Sequence, residues 1–147
     1  MKAIIQKSGP AKVDIDGQTV GQISRGLVIL LGVKPEDTSQ QVDWMVEKIS
    51  NMRLFEEGEK HFDKSILENS KQCLVISQFT LYASCKKGRR PDFNGAARPE
   101  IAEPLYNEFV EKLQATGIAV ETGKFGAMMH VSLVNEGPTT IILDTDE

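Results

Sequence analysis

Leu27–Val33 reads Leu-Val-Ile-Leu-Leu-Gly-Val, an apolar run with no alternating polar face. A strand of this kind cannot leave one side to water, so the run predicts a fully buried strand that the rest of the chain must cover. Lys2–Gln6 reads as a short apolar strand. Lys12–Asp16 alternates into Asp16-Gly17, a strong hairpin signal, and Thr19–Ser24 follows it. Thr38 or Ser39 can cap a helix whose Val42, Met45, Val46, Ile49 and Met52 fall on one face. Arg53–Phe55 is expected to be extended and Glu56–Lys64 to be a polar loop. Gln72–Thr80 reads as a central strand, apolar at Cys73–Ile76 and polar at Ser77-Gln78-Phe79-Thr80. Residues 84–100 carry Gly88, Pro91, Gly95 and Pro99 as breakers and read as irregular. A second helix is predicted from Pro104 to Gly117 with Leu105, Phe109 and Leu113 on its buried side. Strands at Ile118–Thr122, Met128–Val134 and Thr139–Leu143 complete the pattern. The expectation is a single α+β domain over residues 1–147, with a curved, barrel-like, mostly antiparallel sheet and two main helices.

Composition removes several function classes. The chain of 147 residues has no stretch near the roughly 20 apolar residues of a membrane span, and no early apolar run of secretory type. A cytoplasmic location is the expectation. Two cysteines, Cys73 and Cys85, and two histidines, His61 and His130, offer neither a disulfide framework nor metal-ligand spacing. No metal or cofactor is therefore expected. A net charge of −4 argues against general polyanion binding. Within that acidic balance Lys86, Lys87, Arg89 and Arg90 form a local basic run, suited either to a solvated loop or to a phosphate backbone.

The usual hydrolase motifs are missing: there is no GxSxG and no HExxH. Ser77 and Thr80 offer hydroxyls at a strand end, but a hydroxyl nucleophile needs a base, and neither histidine is an obvious one. His130 sits beside Ser132 in a strand pattern. Asn135-Glu136-Gly137-Pro138-Thr139 reads locally as a β-turn between two strands. Gly-Pro is also a place where a cis bond is cheap, at roughly 0.5–1 kcal/mol, and where backbone carbonyls can approach a ligand closely.

Several segments are similar to one family. They are Ser77-Gln78-Phe79-Thr80-Leu81-Tyr82-Ala83, Lys87-Gly88-Arg89-Arg90-Pro91, Glu103-Pro104-Leu105-Tyr106, Glu121-Thr122-Gly123-Lys124-Phe125-Gly126-Ala127 and Val131-Ser132-Leu133-Val134-Asn135-Glu136-Gly137-Pro138-Thr139. With Asp16-Gly17 and the Gly26–Val33 run, they resemble the D-aminoacyl-tRNA deacylases, historically the D-tyrosyl-tRNA deacylases, over essentially the whole chain. Ser8-Gly9-Pro10, Lys60-His61-Phe62-Asp63 and Met128 depart from the family's usual residues. These departures bear on tRNA contact and substrate range.

The resemblance implies a symmetric homodimer acting on the acceptor end of aminoacyl-tRNA, with no membrane or DNA partner. It implies a site in which Ser77, Gln78, Phe79 and Thr80 of one subunit meet a cis Gly137-Pro138 from the other. Asn135, Phe125, Met129 and Ala102 would shape the substrate pocket, and Lys86, Lys87, Arg89 and Arg90 would contact tRNA. For a reaction of that kind the missing histidine leads us to expect a backbone oxyanion site near Phe79 and Thr80 and assistance from the ribose 2′-hydroxyl, with L-residues excluded by the Gly137 and Pro138 carbonyls and glycyl-tRNA, which has no side chain to exclude, also attacked. Two rivals stand beside it: a small-molecule esterase or peptidase using Thr80, and a non-catalytic nucleic-acid-binding module using the basic loop.

Overall fold

Strand β1 (Lys2–Ile15) is the spine of the sheet, and the computed structural model describes it within a continuous chain from Met1 to Glu147. The two short strands expected here are one. Pro10, which has no N–H to donate, is exposed between the two pairing regions of β1, so no ladder bond is lost. On one side, β2 (Gln18–Ile23) pairs antiparallel with Ala11–Ile15, and β3 (Gly26–Gly32) pairs antiparallel with Lys2–Ser8. The predicted Asp16-Gly17 turn is present, with φ of 50° and 78° at the two residues, as a tight hairpin requires.

Helix α1 (Ser39–Asn51) begins at Thr38 with a reciprocal capping box to Gln41 and buries Val42, Met45, Val46 and Ile49. The segment expected as a polar loop is instead a hairpin of β4 (Arg53–Glu57) and β5 (Lys60–Ser65), turning at Gly58 with φ 59°. It escaped the apolar pattern because it lies off the main sheet: only Leu54, Phe55 and Ser65 are buried, and Phe62 faces water. A one-turn helix, α2 (Ile66–Asn69), follows, closed by a Ser65–Glu68 capping box. Strand β6 (Gln72–Ser77) joins β3 in parallel, and β7 (Ala119–Thr122) joins β6 in parallel.

Helix α3 (Pro99–Ala115) starts earlier than expected. Pro99, not Pro104, occupies the first turn, and Pro104 lies inside the helix on its exposed side, where it forgoes one backbone bond. The buried face is therefore Ala102, Tyr106, Phe109 and Leu113, with Leu105 only half-buried. The helix stops at Gly117, φ 94°.

The last two expected strands are also one, β8 (His130–Asp144), antiparallel along the free side of β1. The turn reading of residues 135–139 is overturned by the register. Between Gln6↔Thr140 and Ser8↔Asn135, β8 has four residues where β1 has only Lys7, so the segment is a bulge on a continuing strand. Asn135 clasps it, accepting the Thr139 N–H at 2.9 Å and donating to Thr140 Oγ1 at 2.9 Å.

The six-stranded sheet is mixed and curls until β2 nearly meets β7. At the seam, a Cβ on Gly21 would lie 2.3 Å from the Thr122 carbonyl oxygen, so glycine is what allows the near-closure. Leu27, Ile29 and Leu31 of β3 face the helices in the larger core, together with Cys73 and Val75 of β6. Val28, Leu74 and Ile76 point the other way, into a second core inside the curl with Ala11, Val13 and Ile23. The buried strand expected at Leu27–Val33 is thus covered on both faces.

An ion-pair network ties the bulge to the β4–β5 hairpin. Arg25 bonds Glu136 Oε2 through Nε at 2.9 Å and Glu56 Oε1 at 2.6 Å, and Lys7 also pairs with Glu56. The Lys7 ammonium and Arg25 guanidinium, with a backbone bond, hold the Glu56 carboxyl down at about 2 against its ordinary 4.5. A depressed carboxylate stabilises the fold above its unfolded value and loses that contribution as pH falls toward the folded one. Urea-unfolding midpoints should therefore decline for the native protein between about pH 4.5 and 2, and Glu56→Gln should flatten that interval while lowering the midpoint modestly at neutral pH.

Candidate active site

Strands β3 and β6 run parallel, so their carboxyl ends reach the same edge of the sheet, the edge where α/β sheets tend to bind ligands. At that edge β6 gives up its apolar core sequence. Gln78 adds one more bond, from its N–H to the Leu31 carbonyl at 2.8 Å, and the chain then enters a 3-10 turn at Phe79–Tyr82 rather than extending the strand to Thr80. The first N–H used inside this turn is that of Leu81, donated to the Gln78 carbonyl. The N–H groups of Phe79 and Thr80 precede it and have no acceptor within the turn.

Below this edge lies a cavity of about 750 Å³, thirteen of whose eighteen lining residues are hydrophobic. Its walls come from Leu31 near the end of β3 and Val33 just after it, Ile76–Phe79 at the end of β6, Phe93 and Ala96–Pro99, Ala102 of α3, and Phe125–Met129 with Val131. The fold thereby brings together Ser77, Gln78, Phe79, Ala102, Phe125 and Met129. Thr80 stands just outside, exposed, its Oγ1 accepting a 2.5 Å hydrogen bond from the Gln78 side-chain amide. No histidine lines this cavity. The Cys73 thiol is buried behind the site, and burial raises its pKa, which suits core packing and not nucleophilic attack.

Packing fixes the far wall. Phe125 meets Tyr106 with ring centroids 5.9 Å apart, and the Tyr106 hydroxyl donates to the Val75 carbonyl at 2.9 Å. Burial pushes that hydroxyl up to about 12, so it stays a protonated donor. Met129 sits against Gly123, where a Cβ would come within 2.4 Å of its sulfur. At the mouth, Phe79 and Phe93 are both exposed and pack edge to face at 5.1 Å. Phe93 and Arg98 escaped the sequence reading. They lie in the irregular 84–100 stretch, where no periodicity marks an inward side chain.

The other expected site residues lie elsewhere. Gly137 and Pro138, joined by a cis peptide, are exposed at a separate hollow of about 300 Å³ with Lys7, Leu54, Glu56, His61, Phe62 and Thr139. Asn135 lines neither space, since both ends of its side-chain amide are used within the bulge. Lys86, Lys87, Arg89 and Arg90 are exposed outside the cavity, on a loop closed by the Ser84↔Asp92 bridge. No three His, Cys, Asp or Glu residues are placed to hold a metal, and no helix is long and apolar enough to cross a membrane.

A family model described as D-Tyr-tRNA(Tyr) deacylase matches residues 4–144. The D-aminoacyl-tRNA deacylase of Desulfatibacillum aliphaticivorans is 52% identical over 145 residues, covering 99% of each chain. That of Clostridioides difficile strain 630 is 48% identical over 147 residues, covering all of this chain and 99% of its own. Among solved structures, one described as a c-Myc DNA Unwinding Element Binding Protein superposes with a TM-score of 0.92 at 42% identity, covering 99% of each chain. Another, described as a probable eukaryotic D-amino acid tRNA deacylase, gives 0.82 at 17% identity over 97% of each chain, a likeness of fold alone. With family motifs, full-length relatives and fold in agreement, this chain belongs to the D-Tyr-tRNA(Tyr) deacylase family.

Proposed function

We propose that this protein hydrolyses the ester of D-aminoacyl-tRNA in the cytoplasm, releasing the D-amino acid and intact tRNA. The observation that carries the reading is the pairing of two unengaged N–H groups, at Phe79 and Thr80, with an apolar cavity that contains no side-chain base. Such a site suits an ester that is already activated, as an aminoacyl ester is by its α-ammonium and neighbouring ribose hydroxyl. Water adds to the carbonyl carbon, the two N–H groups stabilise the oxyanion by about 3–4 kcal/mol, and the bond to the ribose oxygen breaks as that oxygen takes the proton. The ribose 2′-hydroxyl stands in for the missing base by orienting the water. Phe125, Met129 and Ala102 receive the terminal adenosine, and the Lys86–Arg90 loop contacts phosphates.

Handedness requires a second copy. Discrimination of about 10⁴ needs roughly 5.5 kcal/mol, more than one lost contact supplies, so exclusion has to be steric. In this reading the Gly137 and Pro138 carbonyls of a partner hold the α-ammonium and occupy the space of an L side chain, while glycine, with nothing to exclude, is also cleaved. Two features support a partner: these residues are exposed and line a hollow separate from the cavity of their own chain, and β8, paired with β1 on one side only, exposes Val134 at 58% and Ile142 at 67%.

Purified protein should release tyrosine from D-Tyr-tRNA at least about 10³ times faster than from L-Tyr-tRNA. Equal release, cleavage of simple esters that lack the terminal adenosine as fast as D-Tyr-tRNA, or binding without turnover would each overturn the reading in favour of a rival. Thr80→Ala should keep most of its activity, whereas a substrate ending in 2′-deoxyadenosine should be cleaved at least about tenfold more slowly. The reverse pattern would make Thr80 the nucleophile. Finally, Phe79→Pro deletes one N–H, and Gly137→Val forces a side chain onto φ 119° and within 2.5 Å of Thr139 Oγ1. Each variant should be inactive alone, and an exchanged mixture should recover roughly a quarter of the native rate, with one intact site per mixed dimer.

A further inference from the structure

Of the eighteen residues lining the cavity, one is charged: Arg98. Its carbonyl accepts the N–H groups of Ile101 and Ala102 at 3.0 and 2.9 Å, so its backbone is locked to the start of α3. Its side chain is exposed and forms no ion pair or hydrogen bond within the chain. Arg25, by contrast, is engaged by two carboxylates. Glu100 and Glu103 follow on the same helix and are exposed, yet neither pairs with Arg98. An exposed guanidinium with no carboxylate partner, carried by a residue that lines an apolar cavity, is an available forked donor for a planar oxyanion.

The substrate of the proposed function carries opposite charges at its two ends, an ammonium on the aminoacyl group and a phosphodiester before the terminal adenosine. Arg98 attracts one and repels the other, and it stands on a different wall from the uncharged strand end at Ser77–Phe79. We propose that Arg98 binds the phosphodiester preceding the terminal adenosine and so fixes the direction in which the acceptor end enters, ester toward Phe79 and Thr80. This inference rests on the deacylase reading. It differs from the role given to Lys86, Lys87, Arg89 and Arg90, which lie outside the cavity.

The test compares kcat/KM on D-Tyr-tRNA with kcat/KM on D-tyrosyl-adenosine, an ester with no phosphate. Arg98→Ala should lower the ratio of the two about tenfold, chiefly through KM for the tRNA, and should reduce the salt dependence of that KM by about one phosphate contact. Arg98→Lys should restore the salt dependence but only part of the ratio, because an ammonium lacks the fork. An unchanged ratio in Arg98→Ala, or equal losses on both substrates with an unchanged salt slope, would overturn the proposal. A native protein inert on both esters would overturn the deacylase reading, and this proposal with it.

Discussion

Burial of β3 and β6 on both faces is the constraint from which the architecture follows. Their side chains alternate between two cores, one under α1 and α3 and one inside the curl of the sheet. A flat sheet with helices on one side could have covered only half of them. Curling lets the sheet act as its own second layer, at the cost of bringing backbone against backbone at the β2–β7 seam, where Gly21 makes the approach tolerable.

The cavity is a consequence of the same arrangement. Because β3 and β6 are parallel, the residues that end them, Leu31 and Val33 on one and Ser77 on the other, open at a common edge. The cores close beneath that edge, and the loop from Phe93 to Pro99 and the start of α3 wall it in. What is left at the top is main chain that has stopped making ladder bonds. Donors at Phe79 and Thr80 are available there because the strand has ended and the turn has not yet used them. Such a main-chain edge carries few special side chains, in keeping with the missing serine elbow and zinc motif.

The molecule keeps its charges in different places for different ends. Around the bulge of β8, Lys7, Arg25, Glu56 and Glu136 neutralise one another beside the exposed Gly137 and Pro138. Around the cavity there is almost no charge: Arg98 is the one charged residue of the lining, and its exposed side chain has no carboxylate partner. The first arrangement builds shape; the second leaves an unmet attraction.

Much of the local structure was legible in the residues themselves. The unbroken Leu27–Val33 run required a strand covered on both faces, Asp16-Gly17 required a tight hairpin, and Thr38 with the Val42–Ile49 spacing required a capped amphipathic helix; all three depend on neighbours only a few positions away. The family motifs pointed to the Ser77–Thr80 edge; Ser77, Gln78 and Phe79 line the cavity, and Thr80 stands just outside it. Long-range pairing was not legible. Nothing local tells that Pro10 sits in a gap between pairing regions, that residues 135–139 are a bulge rather than a turn, or that the polar stretch at Glu56–Lys64 folds as a hairpin. Phe93 and Arg98 were equally silent, since in an irregular segment only the docking of α3 against the sheet determines which residues line the cavity mouth. Sequence therefore determined which segments must be buried and where the apolar strand β6 gives way to polar residues. Tertiary structure alone decided where the edge's neighbours lie, because register and loop placement are set by partners distant along the chain.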